Sequence, residues 1–398
     1  MLGRAGSAGI VILIAASCST AASPVETASE PSPISSSAVA SPVASAAPPS
    51  VATTPSPART ARPDGIVASF RLVSPGTGWA ETDHGLLVTH DDGSSWVDAS
   101  PTGDLGTLGL DAIDGQAAFV ASGKKDGSAT TISIWHTTDG GQTWRPTKLA
   151  SVRTRDTSPD GCGCDRLAVL IDAVDPLEVF ADIVVSSGTD SVSHDVFQSR
   201  DGGVTWAALS FGIQAHGAPA DLAIHFLTAD TGSVLFDERT FTTRTGWGHW
   251  SEYPEPRFGP ITYLDDQHWV MGLPDALAGT VRIAESTDAG RSWTTHLRPI
   301  PETTNLSVSF VSATTWIAMV ETTSAPPANK LGPAETWTSR DAGRTWTFVG
   351  KLPTSDTWRS DFVDPSHGWV LTRAGGLAST SDGGATWSAI LGPPASGG

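Results

Sequence analysis

The pattern Ser/Thr-x-Asp-x-Gly-x-Ser/Thr-Trp returns six times in this chain, and it constrains the fold more than any other feature. The copies carry Asp91, Gly93 and Trp96; Asp139, Gly141 and Trp144; Asp201, Gly203 and Trp206; Asp288, Gly290 and Trp293; Asp341, Gly343 and Trp346; and Asp382, Gly384 and Trp387. A seventh copy, residues 243–250, keeps the spacing and Trp250. It has Thr245, Trp247 and His249 where the others have Asp, Gly and a hydroxyl residue. Consecutive tryptophans of the series stand between 41 and 62 residues apart. A period of that size is one four-stranded sheet, so seven copies predict an all-β, seven-bladed β-propeller of antiparallel blades over residues 66–398.

Each copy, called a box below, reads as a tight turn between two strands. The aspartate is expected to accept backbone N–H groups two residues on, and the flanking hydroxyls to bond the same turn. Glycine at the fifth position supplies a positive φ, and the tryptophan buries a large face with its N–H near a strand end. Every residue of the box therefore has a structural task. A second pattern precedes most boxes: an apolar strand, a short turn, then an aromatic residue. Phe70 leads to Gly78-Trp79, Phe310 to Trp316, and Phe362 to Gly368-Trp369, with Phe119, Phe180 and His268-Trp269 as substitutes.

Let strands a to d of a blade run outward from the axis, with the box at the c–d turn. Antiparallel order then places the a–b and c–d turns on one face, and the b–c turns and blade-to-blade links on the other. The a–b turns are short. The long insertions, residues 123–130, 151–166, 186–193 and 322–335 and the link 251–260, all fall on the second face. Long loops on a rigid scaffold are where recognition concentrates. The expected binding face therefore carries Lys124, Lys125, Asp126, Arg153, Arg155, Asp156, Tyr253 and Arg257.

The boxes and the aromatic pattern resemble the bacterial neuraminidase repeat, or Asp-box, propellers. Within that group the chain looks most like the photosystem II assembly/stability factors and their bacterial relatives. The resemblance implies a non-enzymatic binding or assembly scaffold, with a protein or a surface glycan as partner. The competing class is a sialidase- or glucanase-like glycoside hydrolase. A sialidase needs an arginine triad and a tyrosine nucleophile; only Tyr253 and Tyr263 exist, and nothing in the sequence brings Arg71, Arg257 and Arg282 together. No nucleophile elbow, zinc-binding helix motif or phosphate loop is present, so no catalytic, cofactor or metal residue is assigned.

Residues 1–17 look like a signal peptide, with Arg4 ahead of an apolar core too short to span a bilayer. The core ends at Ser17-Cys18, which resembles a lipobox. Cys18 is then the lipidated first residue, expected to hold the protein on the outer face of a bacterial membrane; plain secretion is the alternative. Residues 18–65, rich in Ala, Ser, Pro and Thr without aromatic residues, read as a disordered tether. A formal charge of −18 argues against nucleic acid as a partner. Cys162 and Cys164, in Asp160-Gly-Cys-Gly-Cys-Asp165, form either a local disulfide or a reduced pair.

Overall fold

A computed structural model describes residues 59–60, 65–102, 106–126, 129–153, 166–187, 191–209, 222–236, 239–254, 259–275, 279–300, 305–321, 332–353 and 357–393. Cys18, Cys162, Cys164, Arg155, Asp156 and Arg257 lie outside them. The described chain forms seven sheets of consecutive antiparallel strands, six with four strands and one with five. This is the seven-bladed propeller that the repeat predicts. No helix among the described residues is long and apolar enough to cross a membrane.

The fifth strand lies on blade one. Arg59–Thr60, at the end of the segment read as a tether, pairs with Val97–Asp98 on the blade's outer edge. Blade one continues inward through Gly85–Thr89 and Thr77–Thr82 to Val67–Ser74. Among the described residues no strand is exchanged between the chain ends. Instead Phe70, Leu72 and Trp96 of blade one share a core with Trp369, Leu371 and Leu391 of blade seven. The amide of Val67 donates to Gly375 O at 2.9 Å across the same seam.

The boxes work by a tighter scheme than the sequence implies. In the first, Thr89 Oγ1 accepts the amide of Gly93 at 3.0 Å and donates to Asp91 Oδ1 at 2.8 Å. Asp91 reaches four residues on, not two: it accepts the Ser95 amide at 2.8 Å and the Ser95 hydroxyl at 2.6 Å. The other five boxes repeat these bonds around Asp139, Asp201, Asp288, Asp341 and Asp382. The turn needs two successive left-handed residues, so the fourth position also has positive φ, even as Asp92, Ala289 or Ala342. Gly93 adds a second constraint, because a Cβ there would stand 2.5 Å from Ile390 of blade seven.

In four boxes the tryptophan bonds outside its own blade, whereas Trp206 Nε1 donates to Gly203 O of its own box at 3.1 Å. Trp96 Nε1 donates to Ile390 O, Trp144 to Ala99 O, Trp346 to Pro299 O, and Trp387 to Thr336 Oγ1. Each of these acceptors belongs to the preceding blade. Each of these four boxes thus closes one hairpin and staples it to its neighbour.

The box carboxylates carry a pH prediction. The hydroxyl and amide of Ser292 lower the pKa of Asp288 to about 2, and those of Thr345 do the same for Asp341. Asp91 and Asp201 shift downward for the same reason. A depressed folded-state pKa contributes stability above the unfolded value of about 3.9, and that contribution is lost as pH falls through the folded value. Denaturation midpoints should therefore decline between pH about 4 and about 2, and less steeply in Asp288→Asn. Identical acid profiles for the two proteins would contradict the assignment.

Candidate functional site

The inner strands bring together charged residues that lie far apart in the chain. Arg71, Asp111, Asp172, His225 and Asp361 are paired with Trp79, Phe119, Phe180, Ser233 and Trp369 on their respective second strands. They therefore occupy one level of the ring in five blades. Asp111 forms an ion pair with Arg71 of blade one, Nε to Oδ1 3.0 Å, and accepts the Ala173 amide of blade three at 2.9 Å. Asp172 accepts the Phe226 amide at 2.6 Å and faces His225 Nδ1 at 3.3 Å, both in blade four. Tyr263 of blade five donates to His225 O at 3.2 Å. Glu321 of blade six accepts the Thr357 amide of blade seven at 2.7 Å.

Burial opposes the Arg71 charge, but Asp111, Asp361 and Asp172 outweigh it and raise the affinity of the guanidinium for its proton. Arg359 is shifted the other way, chiefly by burial, and it also packs over the Phe70 ring at 5.0 Å. Carboxylates committed to the next blade's amides are suited to holding blades together. Among the described residues, no group of three or more His, Cys, Asp or Glu side chains is placed to hold a metal ion.

The long-loop face is built differently from its sequence reading. Residues 123–126 and 129–130 lie in strands: Ala118–Asp126 and Ala129–Thr137 pair as one extended hairpin. Lys124, Lys125 and Asp126 are exposed near its tip. Arg153, also exposed, pairs with Ala129 at the same end of blade two, so these four residues gather in one place. Val179–Ser187 and Ser191–Ser199 extend blade three in the same way.

Tyr253 does not belong to that face. It is 5% exposed, packs edge-on to Trp293 at 5.4 Å, and its hydroxyl lies 3.2 Å from Thr295 Oγ1. Its amide bonds Thr240 O as the Ala99 amide bonds Leu86 O, so it fills the place after strand d against which the next box tryptophan packs. It is a seam residue, packed beside the next box and not part of the long-loop face.

The residue that sequence reasoning missed is Trp358. Of the 15 tryptophans, seven stand at the closing position of a box, and Trp79, Trp269, Trp316 and Trp369 are buried near the start of second strands. Trp135 bonds Ser122 Oγ, Trp247 packs on Phe226 and Trp250, and Trp337 stacks edge-on to Phe348. Trp358 fits neither pattern and is 48% exposed. Its strand, Thr357–Phe362, has a register shift between Thr357 and Arg359, so Trp358 is the unpaired extra residue of a bulge. Bulges re-aim side chains at functional rims. The Arg373 guanidinium, in the b–c turn of blade seven, stacks on the Trp358 ring at 4.6 Å. Two residues along that turn, Gly375 abuts Ile66, itself 53% exposed. Blades one and two carry bulges at the matching place, with Ala68 and Leu108 as the extra residues.

Comparison with family models and with curated protein sequences finds no match. Solved structures do match in fold. A structure described as YCF48 bound to D1 peptide has a TM-score of 0.50 at 17% identity, over 83% of this chain and 96% of that one. A GH74 enzyme of Niastella koreensis has 0.54 at 15% identity, and the chain covers 54% of its length. An oligogalacturonate lyase of Vibrio parahaemolyticus has 0.50 at 10% identity, over 83% of this chain and 91% of that one. These likenesses establish the propeller and nothing narrower.

Proposed function

We propose that the chain is an exported, lipid-anchored Asp-box propeller that acts without catalysis, binding a protein partner on its long-loop face around Trp358. The observation that carries this reading is an exposed tryptophan, put out by a bulge and stacked by an arginine, at the open end of the inner strands. Tryptophan and arginine are the residues most often found as interface anchors. Lys124, Lys125, Asp126 and Arg153 supply a charged rim on the same face. Two further points support it: the sequence resemblance to assembly factors, and a fold shared with a propeller described as bound to a peptide. Engagement of Asp111 and Asp172 by neighbouring blades also favours a binding role over glycoside hydrolysis.

The test is crosslinking on intact cells followed by mass spectrometry, with Trp358→Ala beside the parent chain. Truncating a hot-spot residue costs about 2 kcal/mol or more, roughly 30-fold in affinity. The variant should lose the parent's principal crosslinked protein while melting within a few degrees of it. Unchanged recovery by Trp358→Ala would move the interface elsewhere. Release of reducing sugar from envelope polysaccharide by the parent would replace the scaffold with a hydrolase.

A further inference from the structure

Blade four, whose box has lost its aspartate, holds a groove of about 420 Å³ where that turn meets the box of blade five. Thr245 stands where the other boxes have the bridging carboxylate, and Trp247 stands at the usual glycine. Trp247 swings toward blade three, packing on Phe180 at 6.1 Å and edge-on to Trp250 at 5.2 Å. Space opens on the opposite side, toward blade five. The lining includes Trp293 and Tyr253 together with Thr245, Ser251 and His249.

The charge of this groove runs against that of the molecule. Arg244 and Arg291 both line it, and burial followed by the neighbouring Arg291 charge lowers the Arg244 pKa. Arg244 donates through Nε at 2.9 Å, and through Nη2, to the backbone carbonyl of Ala289; Arg291 donates to Asp288 O at 3.1 Å. Neither makes an ion pair among the described residues. Arg200, at the position in blade three that matches Arg244, lies 3.9 Å from Glu178. One carboxylate, Glu252, lines the groove but is paired with Arg239; Asp288, which favours the Arg244 charge, is bonded to Ser286 and Ser292. A cluster of two guanidiniums beside an aromatic floor and several hydroxyl groups is thus left in a chain of net charge −18.

We infer that this groove binds an anionic saccharide, with a sugar carboxylate between Arg244 and Arg291 and the sugar ring against Trp293. The volume falls in the range of about 300–1,000 Å³ typical of small-ligand clefts. Guanidinium pairs suit carboxylates, the aromatic floor offers an apolar face to a pyranose ring, and Thr245, Ser251 and His249 match its hydroxyls. An acidic peptide would use the arginines but would leave that row of hydroxyl partners idle. The site is independent of the long-loop face.

Calorimetric titration of the full chain tests it with a trisaccharide ending in glucuronic acid, the same trisaccharide ending in glucose, and triglutamate. The glucuronate probe should bind, with the glucose probe and the peptide at least tenfold weaker. Arg291→Gln should weaken glucuronate binding tenfold or more without lowering the melting temperature, since the Arg291 side-chain bond stays within its own box. Arg244→Gln should weaken it too, with some loss of stability at the blade four–five seam. Trp358→Ala should bind the sugar like the parent, which separates this site from the protein interface. Absence of binding, equal binding of the glucose probe or of triglutamate, or an unaffected Arg291→Gln would each overturn the inference.

Discussion

Removal of residues 380–398 is expected to abolish cooperative folding. The cut takes the last box and the outer strand of blade seven, Ser388–Leu391, and it opens two seams at once. On one side Trp387 leaves Phe362, its edge-on partner at 6.1 Å, and the Thr336 hydroxyl of blade six. On the other, Trp96 loses its acceptor Ile390 O, and the shared core of blades one and seven loses Leu391. Trp387, Ile390 and Leu391 together represent roughly 4.5–9 kcal/mol of apolar burial, at about 1.5–3 kcal/mol per large side chain. Net stability of a folded domain is only about 5–15 kcal/mol. The truncated chain should therefore lose near-UV circular dichroism and show red-shifted tryptophan emission at 25 °C. Ile390→Asp is a milder version, placing a charge against Gly93 and Trp96, and should lower the melting temperature by several degrees. A truncated protein that melts like the parent would show that the ring does not close through this blade.

The architecture is legible because the box packs a turn, a hydroxyl bridge and a blade-crossing tryptophan into eight consecutive residues. Patterns spread over longer distances are harder to read. The second aromatic pattern looks uniform in sequence, yet it has two registers. Trp269 and Trp316 pair with the box serines Ser286 and Ser339, whereas Gly78 and Gly368 take that place in blades one and seven. Strand side chains alternate between faces, so a shift of one residue reverses the direction in which the ring points. Trp79 accordingly packs with Ala112 and Val120 of blade two, while Trp316 packs back on Val270 and Ile283 of blade five. Tyr253 misleads because an exposed link and a seam position look alike where strand d is only two residues long. The inner charged level escapes a linear reading although its spacing is regular. Arg71, Asp111, Asp172, His225 and Asp361 each stand eight residues ahead of their partners Trp79, Phe119, Phe180, Ser233 and Trp369. A charge recurring at one place in otherwise apolar strands is a signal of ring-wide bonding, and it is visible only when blades are laid side by side.

Asp111→Ala is expected to be among the most damaging single substitutions in the chain. Asp111 joins three blades: it belongs to blade two, pairs with Arg71 of blade one, and accepts the Ala173 amide of blade three. It is 6% exposed. Removing Asp111 leaves the Arg71 charge with only Asp361 and Asp172 to offset its burial, at a cost of about 3 kcal/mol, the low end for a broken buried pair. At about 2–4 °C per kcal/mol the melting temperature should fall by roughly 10 °C. Two companions separate the contributions. Asp111→Asn keeps an acceptor for Ala173 and loses only the charge, so it should fall between parent and Asp111→Ala. Joining Arg71→Met to Asp111→Leu removes the stranded cation, but the Ala173 amide stays without its acceptor, a deficit of about 1–3 kcal/mol. The double variant should therefore recover part of the lost stability and stop short of the parent. Full recovery would mean that the ion pair alone ties the blades together; no recovery would place the cost in the hydrogen bond to blade three. Thermal unfolding of the four proteins at one pH decides between them. If Asp111→Ala unfolds at the temperature of the parent, the inner charged level is not what holds these blades in register.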